Sequence, residues 1–177
     1  AGAVVIGVIK AGSVTASEST KNKKVAIIGT QGTVKSGAYI QEIKKCDKKI
    51  RCFSQACPLF VPLVEEGLSE DSVTERIISM YLNKILKKKI DTIILGCTHY
   101  PLLAKPIKKI AGKDIKIIDS ASAVACEVEK LLRSKKMANL KGKGRYSFYV
   151  SDSPEKFQKL GSKFFNKKII NVTKVEI

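Results

Sequence analysis

Six short runs of apolar, largely β-branched residues recur along the chain: Val4–Ile9, Val25–Gly29, Ile50–Ser54, Thr92–Gly96, Ile115–Asp119 and Tyr146–Val150. Each has the length of a strand, and most are apolar at successive rather than alternate positions. A strand with one wet face alternates, so these suit strands covered on both faces, as in parallel α/β sheets. Between them the pattern shifts to a helical period. Val34–Cys46 follows a Gly-Thr turn, Ser72–Lys88 keeps Val73, Ile77, Ile78, Tyr81, Leu82 and Ile85 on one face, and Ala121–Arg133 turns Val124, Val128, Leu131 and Leu132 inward. Ser72-Val-Thr-Glu75 reads as a capping box. Ser153-Pro154-Glu155 reads as a helix start with Ser at the cap and Pro at the first position. Pro58 and Pro62 predict an ordered, non-helical path after the third strand. The alternation of strand and helix predicts a parallel-sheet, three-layer αβα fold. The Lys/Gly-rich stretch Ser134–Gly144 is its weak join, a linker or exposed loop.

Composition narrows the class without naming a function. The 177 residues are 44% hydrophobic and 28% charged, which excludes a disordered basic tail, a collagen-like fibre and a small disulfide scaffold. No apolar run approaches the ~20 residues that span a bilayer, so no membrane partner is expected. The opening AGAVVIGVIKAG has no basic segment before it and does not read as a secretion signal, and the missing initial Met suggests a chain cut from something longer. A net charge of +17 invites a nucleic-acid reading. The excess, however, is 29 Lys against 4 Arg, and residues 58–97 carry −1 where the flanks carry +7 and +11. Arginine is the residue suited to bidentate contacts, so the charge reads as a solvated lysine surface and nucleic acid is set aside as a partner. Five cysteines of irregular spacing and one histidine fit free thiols in a reducing, cytoplasmic setting, with no metal site. A phosphatase loop starting at Cys97 fails because Leu103 stands where Arg is required. The thiols are therefore better suited to catalysis than to structure.

Ligands of open α/β sheets bind beyond the carboxyl ends of the strands, and three such places stand out. Gly29-Thr30-Gln31-Gly32-Thr33 could cradle an anion with backbone N–H groups and two hydroxyls, though it lacks the nucleotide P-loop pattern and a structural turn is its plainer reading. Cys57 to Gly67 brings an apolar lead-in to Glu65, with a buried, inert Cys57 as the plainer reading. Leu95-Gly96-Cys97-Thr98-His99-Tyr100-Pro101 sets a thiol beside the sole histidine at the end of a strand. A thiol near imidazole and peptide dipoles suits a nucleophile or a proton-transfer base.

The same three stretches resemble the glutamate racemases of the cofactor-independent aspartate/glutamate racemase family. Leu95-Gly-Cys-Thr-His-Tyr-Pro-Leu-Leu103 resembles the second catalytic motif, and Ala56-Cys-Pro-Leu-Phe-Val-Pro-Leu-Val-Glu-Glu-Gly67 and Ile28-Gly-Thr-Gln-Gly-Thr-Val-Lys-Ser-Gly-Ala-Tyr39 resemble two further signatures. Val150-Ser-Asp-Ser-Pro-Glu-Lys-Phe157 is similar to the closing segment. The resemblance implies a two-domain α/β enzyme that interconverts L- and D-glutamate by two opposed cysteines without a cofactor, supplying D-glutamate for peptidoglycan in the bacterial cytoplasm, commonly as a homodimer. It implies catalytic roles for Cys97, His99 and Glu65, and substrate contacts for Thr98, His99, Thr30 and Thr33. The family's opening Asp-Ser-Gly, Tyr-Gly and Cys-containing Asn-Thr motifs have no match; Asp119-Ser120-Ala121 lies late in the chain. On this resemblance residues 1–12 are an interdomain strand or linker, 13–119 a complete second domain, and 120–177 a return to a first domain that is mostly missing. One cysteine cannot serve both faces of Cα, so this polypeptide alone is expected not to racemise glutamate at a useful rate. The alternative from another class is a non-enzymatic anion- or nucleic-acid-binding α/β module.

Overall fold

Four strands, β1 (Lys24–Gly29), β2 (Arg51–Ala56), β3 (Thr92–Leu95) and β4 (Lys116–Asp119), pair in parallel in the order β2-β1-β3-β4. A computed structural model describes residues 4–141 and 144–176 of the chain, in two units, Ala1–Lys136 and Met137–Ile177. The four strands belong to the first. Along them side chains alternate between two cores. Ala26, Ile28, Ile93 and Leu95 pack with Phe60, Val64, Ile78 and Leu82; Val25, Ile27, Ile94 and Ile118 pack with Ala16, Tyr39, Ile43 and Ile50. Both faces of the central strands β1 and β3 are thus buried, which is why those segments are uniformly apolar, while the edge strands β2 and β4 are partly exposed and carry polar residues. Among the described residues, seven α-helices accompany the sheet: α1 (Val8–Ser19), α2 (Gln31–Ser36), α3 (Ala38–Cys46), α4 (Phe60–Glu65), α5 (Ser72–Leu86), α6 (Ala104–Ala111) and α7 (Ser120–Ser134). α1 packs on α3 and α7, and α5 on α6, giving the expected three-layer α/β arrangement.

Local details depart from the sequence reading. Val4–Ile9 is not a strand: Val8 opens α1, and the residues this helix buries are the small Ala11, Gly12, Ser13 and Ala16. The helix expected over Val34–Cys46 is two helices, broken at Gly37, whose φ of 64° is a conformation that only glycine adopts readily. Asp71, not Ser72, caps α5, its carboxylate accepting the Val73 N–H at 2.7 Å; Glu75 instead pairs with Lys109. Pro58 lies in a non-helical turn as expected, but the path through Pro62 is helical, because Pro62 stands in the first turn of α4, where its missing N–H has no intrahelical partner. Ser153 does precede a helix, but its side chain makes no capping bond. The Lys/Gly-rich stretch follows the end of α7 at Ser134, and its residues 142–143 lie outside those described.

The turn between α1 and β1 is tied to the start of β3 by one carboxylate. Asp91 accepts hydrogen bonds from the Thr20 and Thr92 hydroxyls (2.6 and 2.9 Å) and from the Lys21 and Asn22 N–H groups (2.7 Å each). Partial burial works to raise its pKa, but these bonds outweigh it and hold the carboxyl below the usual range. Asp91→Asn is expected to lower stability at neutral pH by about 1–3 kcal/mol, read from the urea midpoint. A depressed folded pKa contributes stability above the unfolded value, about 4, and loses it as pH falls through the folded one. The gap between wild type and variant should therefore close in acid. A gap that stays constant down to acid denaturation would contradict this role.

The second unit is a small βαβ element. β5 (Phe148–Val150) and β6 (Val172–Lys174) pair in parallel around α8 (Pro154–Phe165). Aromatic rings cluster on it, with Phe165 edge-on to Tyr146 at 4.8 Å and to Phe148 at 6.0 Å, while Ile169 is buried.

Candidate active site

The strand order reverses between β1 and β3: the chain leaves β1 towards β2 on one side and β3 towards β4 on the other. In such sheets the crevice beyond the carboxyl ends at the reversal is the ligand site. Here the carboxyl ends at that point carry Gly29-Thr30 and Gly96-Cys97. They approach closely. The Gly96 N–H donates to the Ile28 carbonyl at 2.8 Å, and a Cβ on Gly96 would lie 3.0 Å from that same oxygen. Only glycine fits there without pushing the two strands apart.

A cavity of about 570 Å³ opens at this point, lined by Thr33, Tyr39, Gly96, Cys97, Thr98 and Ser120, with an apolar wall from Val8, Ile9, Val124 and Ala125. That volume is ample for an amino acid. Cys97 is half-buried in the wall. Thr33 sits against both strands, its hydroxyl 3.4 Å from the Gly96 carbonyl. Thr30 is not on the wall. Its Oγ1 caps α2 by accepting the Thr33 N–H at 3.2 Å and lies 3.0 Å from the Thr33 hydroxyl, so it orients the residue that is on the wall.

His99 and Glu65 come together although 34 positions apart, with Nε2 and Oε1 at 3.4 Å. The Thr98 hydroxyl lies 3.5 Å from the other ring nitrogen. This imidazole is thus bracketed by a carboxylate and a hydroxyl one residue beyond the cavity-lining thiol. Neither His99 nor Glu65 lines the cavity itself. The turn carrying His99 is anchored by Tyr100, whose buried hydroxyl donates to the Cys57 carbonyl at 2.9 Å and whose ring meets Phe60 at 5.1 Å; Glu65 closes α4. Burial raises the Tyr100 pKa well above normal, so this phenol stays a donor at every physiological pH.

Sequence reasoning did not single out Tyr39 or Ser120 as site residues. Their hydroxyls meet at 3.1 Å in the cavity wall. Burial pushes the Tyr39 pKa up, against the bond from Ser120, and negative charge on Cys97 adds to the rise. The available signal was topological, since Ser120 follows β4 at the same edge of the sheet. Asp119 also lines the cavity, but its carboxylate caps α7 through the N–H groups of Ala121 and Ser122 at 2.9 and 3.3 Å. Among the described residues no cluster of three or more His, Cys, Asp or Glu is arranged to hold a metal ion.

The other cysteines have different surroundings. Cys57 is fully buried and its pKa is pushed up to about 12, so it remains a thiol. Cys46 and Cys126 are exposed. Iodoacetamide at about pH 8 should therefore alkylate Cys46 and Cys126 of the native chain and spare Cys57, of which only about one part in 10⁴ is thiolate there. Peptide mapping checks this, and rapid Cys57 labelling before unfolding would contradict the packing.

Comparisons with known proteins identify the fold and the family. The family model described as Asp/Glu/Hydantoin racemase matches residues 1–128. Glutamate racemase of Chlorobium phaeobacteroides is 46% identical over 98% of the chain, and that of Thermoanaerobacter sp. is 40% identical over the same share. The chain spans 64% and 66% of their respective lengths. Among solved structures, glutamate racemase isoform RacE1 from Bacillus anthracis superposes with a TM-score of 0.90 at 34% identity, over 98% of this chain and 65% of that one. The Francisella tularensis glutamate racemase, solved in complex with D-glutamate, superposes at 0.87 with 34% identity, over 97% and 64%. Sequence motifs, sheet topology and these matches coincide, and the chain belongs to the Asp/Glu/hydantoin racemase family.

Proposed function

We propose that the chain carries one face of a cofactor-independent glutamate racemase site, with Cys97 as the thiol that exchanges a proton with Cα of glutamate. The observation that carries this reading is the position of Cys97 in the cavity wall at the sheet's reversal point, between Thr33 and Thr98. As thiolate, Cys97 would take the Cα proton from one side; as thiol, it would return one when the other enantiomer reacts. Thr33, oriented by Thr30, and Thr98 offer hydroxyls to the substrate's carboxylates. The His99–Glu65 pair, beside the Thr98 hydroxyl and two residues from Cys97, would assist the proton balance on that side of the site.

Racemisation needs a second thiol on the opposite face of Cα. The five cysteines of the chain do not supply it: Cys97 alone among them lines the cavity. This polypeptide by itself is therefore proposed not to racemise glutamate appreciably. A protein containing both thiols would make D-glutamate, in the bacterial cytoplasm, for peptidoglycan, and would pair as a homodimer like other members of the family. The test is deuterium incorporation at Cα of L- and D-glutamate in D₂O. It compares this chain with a fusion that adds the part of the Chlorobium phaeobacteroides enzyme the chain does not span. Exchange with inversion by the fusion, and little by the chain, is the expected result. A fusion that binds glutamate and exchanges nothing would overturn the proposal.

A further inference from the structure

We propose, against the sequence expectation of no membrane partner, which rested on the lack of a spanning segment, that the edge of the sheet opposite the cavity is a docking face for the surface of an anionic phospholipid bilayer. In parallel α/β units every helix returns the chain to the amino ends of the strands, so the segments entering the four strands share one edge. These segments are residues 18–24, 44–51, 84–91 and 108–116. They carry sixteen Lys and Arg against four acids, a net of +12, while the rest of residues 1–136 carries −1. The turns at the carboxyl edge, residues 29–35, 57–66, 96–103 and 119–122, carry −2. The sequence spaces these lysines along separate helices and loops; the fold gathers them.

Helix C-termini favour a cation or two in their last turn, and Lys44 and Lys108 fill that role. Lys44 donates to the carbonyls of Lys48 and Ile50, and Lys108 to those of Lys113 and Ile115, closing equivalent helix-to-strand turns. That leaves the bulk of the charge unexplained. Three acids near the edge are committed, Asp47 to Lys23, Glu42 to Lys45 and Glu75 to Lys109. Lys48, Lys49, Lys87, Lys88, Lys89 and Lys113 are all exposed.

Three observations favour a bilayer over a nucleic acid. First, the edge is level: Lys24 pairs with Arg51, and Val25, Thr92 and Lys116 stand in register, so the four strands begin within one residue of each other. A level face meets a plane, whereas a nucleic acid is tracked by a groove. Second, fifteen of the sixteen cations are lysines, point charges without the fork that reads bases and phosphates bidentately. Third, the edge exposes no aromatic side chain for stacking, and its large apolar residues are buried (Ile50, Ile85, Ile90 and Ile115) or half-buried (Leu86 and Ile110). Attachment would thus be electrostatic and reversible, without insertion, and would leave the cavity facing away from the lipid.

The test is co-sedimentation of the 177-residue chain with phosphatidylcholine vesicles, with and without about one-third phosphatidylglycerol. Binding only to the anionic vesicles, released as ionic strength rises from about 0.1 M to about 0.5 M, is expected. Reversal of four edge lysines together, Lys48→Glu, Lys49→Glu, Lys88→Glu and Lys113→Glu, should weaken it at least about 100-fold. The matched set Lys10→Glu, Lys35→Glu, Lys130→Glu and Lys135→Glu should weaken it far less. A glutamine series at the same four edge positions and a thermal melt separate lost docking from lost folding. Equal losses from the two sets, no binding to anionic vesicles, or tighter binding to duplex DNA at the same phosphate concentration would each overturn the proposal.

Discussion

In the fusion that carries both thiols, Cys97→Ser is expected to lower racemisation of glutamate by about 10²–10⁴-fold, with little change in substrate affinity. Serine is nearly the size of cysteine, so the cavity wall keeps its shape, and Thr33, Thr98 and the Tyr39–Ser120 pair remain in place. What is lost is a sulfur able to hold and release a proton, because a hydroxyl is a far weaker acid than a thiol. The loss corresponds to roughly 3–5.5 kcal/mol of transition-state stabilisation and should fall on kcat. Residual Cα proton exchange should be asymmetric. A base on the opposite face can still remove the Cα proton of one enantiomer and return deuterium from the same side, so that enantiomer keeps exchanging without inversion. The other enantiomer, whose Cα proton faces Cys97, should not exchange. Equal residual exchange from both enantiomers, or a pure rise in KM, would assign Cys97 to binding instead.

The strands were legible because burial on both faces leaves apolar residues at every position, as in Ile93-Ile94-Leu95, where Ile93 and Leu95 enter one core and Ile94 the other. The same signal misleads at Val4–Ile9. Those residues are apolar, but α1 is held by small side chains, Ala11, Gly12 and Ala16, which carry little hydrophobic pattern. Glycine at position 37 was visible as a residue but not as a helix break, because α2 ends at Ser36 and the helical period resumes at Ala38, with one residue between. The thiol of Cys97 was legible because its chemistry, its strand-end position and its motif lie within one short stretch. Tyr39 and Ser120 were not, since their hydroxyls meet only through the sheet topology, 81 residues apart in sequence. His99 and Glu65 became a plausible pair only on the resemblance, and the fold brings them to 3.4 Å. The lysine edge needed the topology as well: periodicity assigns each lysine to a solvent face, and strand order says which faces coincide.

Phe60→Ala should be the most destabilising single change outside the site, at about 3–5 kcal/mol. Phe60 is fully buried between two aromatic rings, Tyr100 at 5.1 Å and Tyr81 at 5.5 Å, both edge-on. Truncation removes the apolar contact, both ring contacts and the filling of the space, and helices α4 and α5 with the Tyr100 turn cannot all close the gap together. Against the 5–15 kcal/mol typical of a domain, a loss of about 4 kcal/mol leaves little reserve, so the variant should unfold at a much lower urea concentration. Phe60→Leu keeps most of the volume and should lose less than half as much. The effect should also reach the site. Phe60 backs the ring of Tyr100, and Tyr100 ties the turn that begins at Cys97 to the Cys57 carbonyl at the end of β2. Loosening that anchor should raise the rate at which iodoacetamide reaches Cys57 in the still-folded variant, while the exposed Cys126 keeps its wild-type rate. A large stability loss with no change in Cys57 labelling would mean that the gap is absorbed by α5, on the far side of Phe60 from the turn.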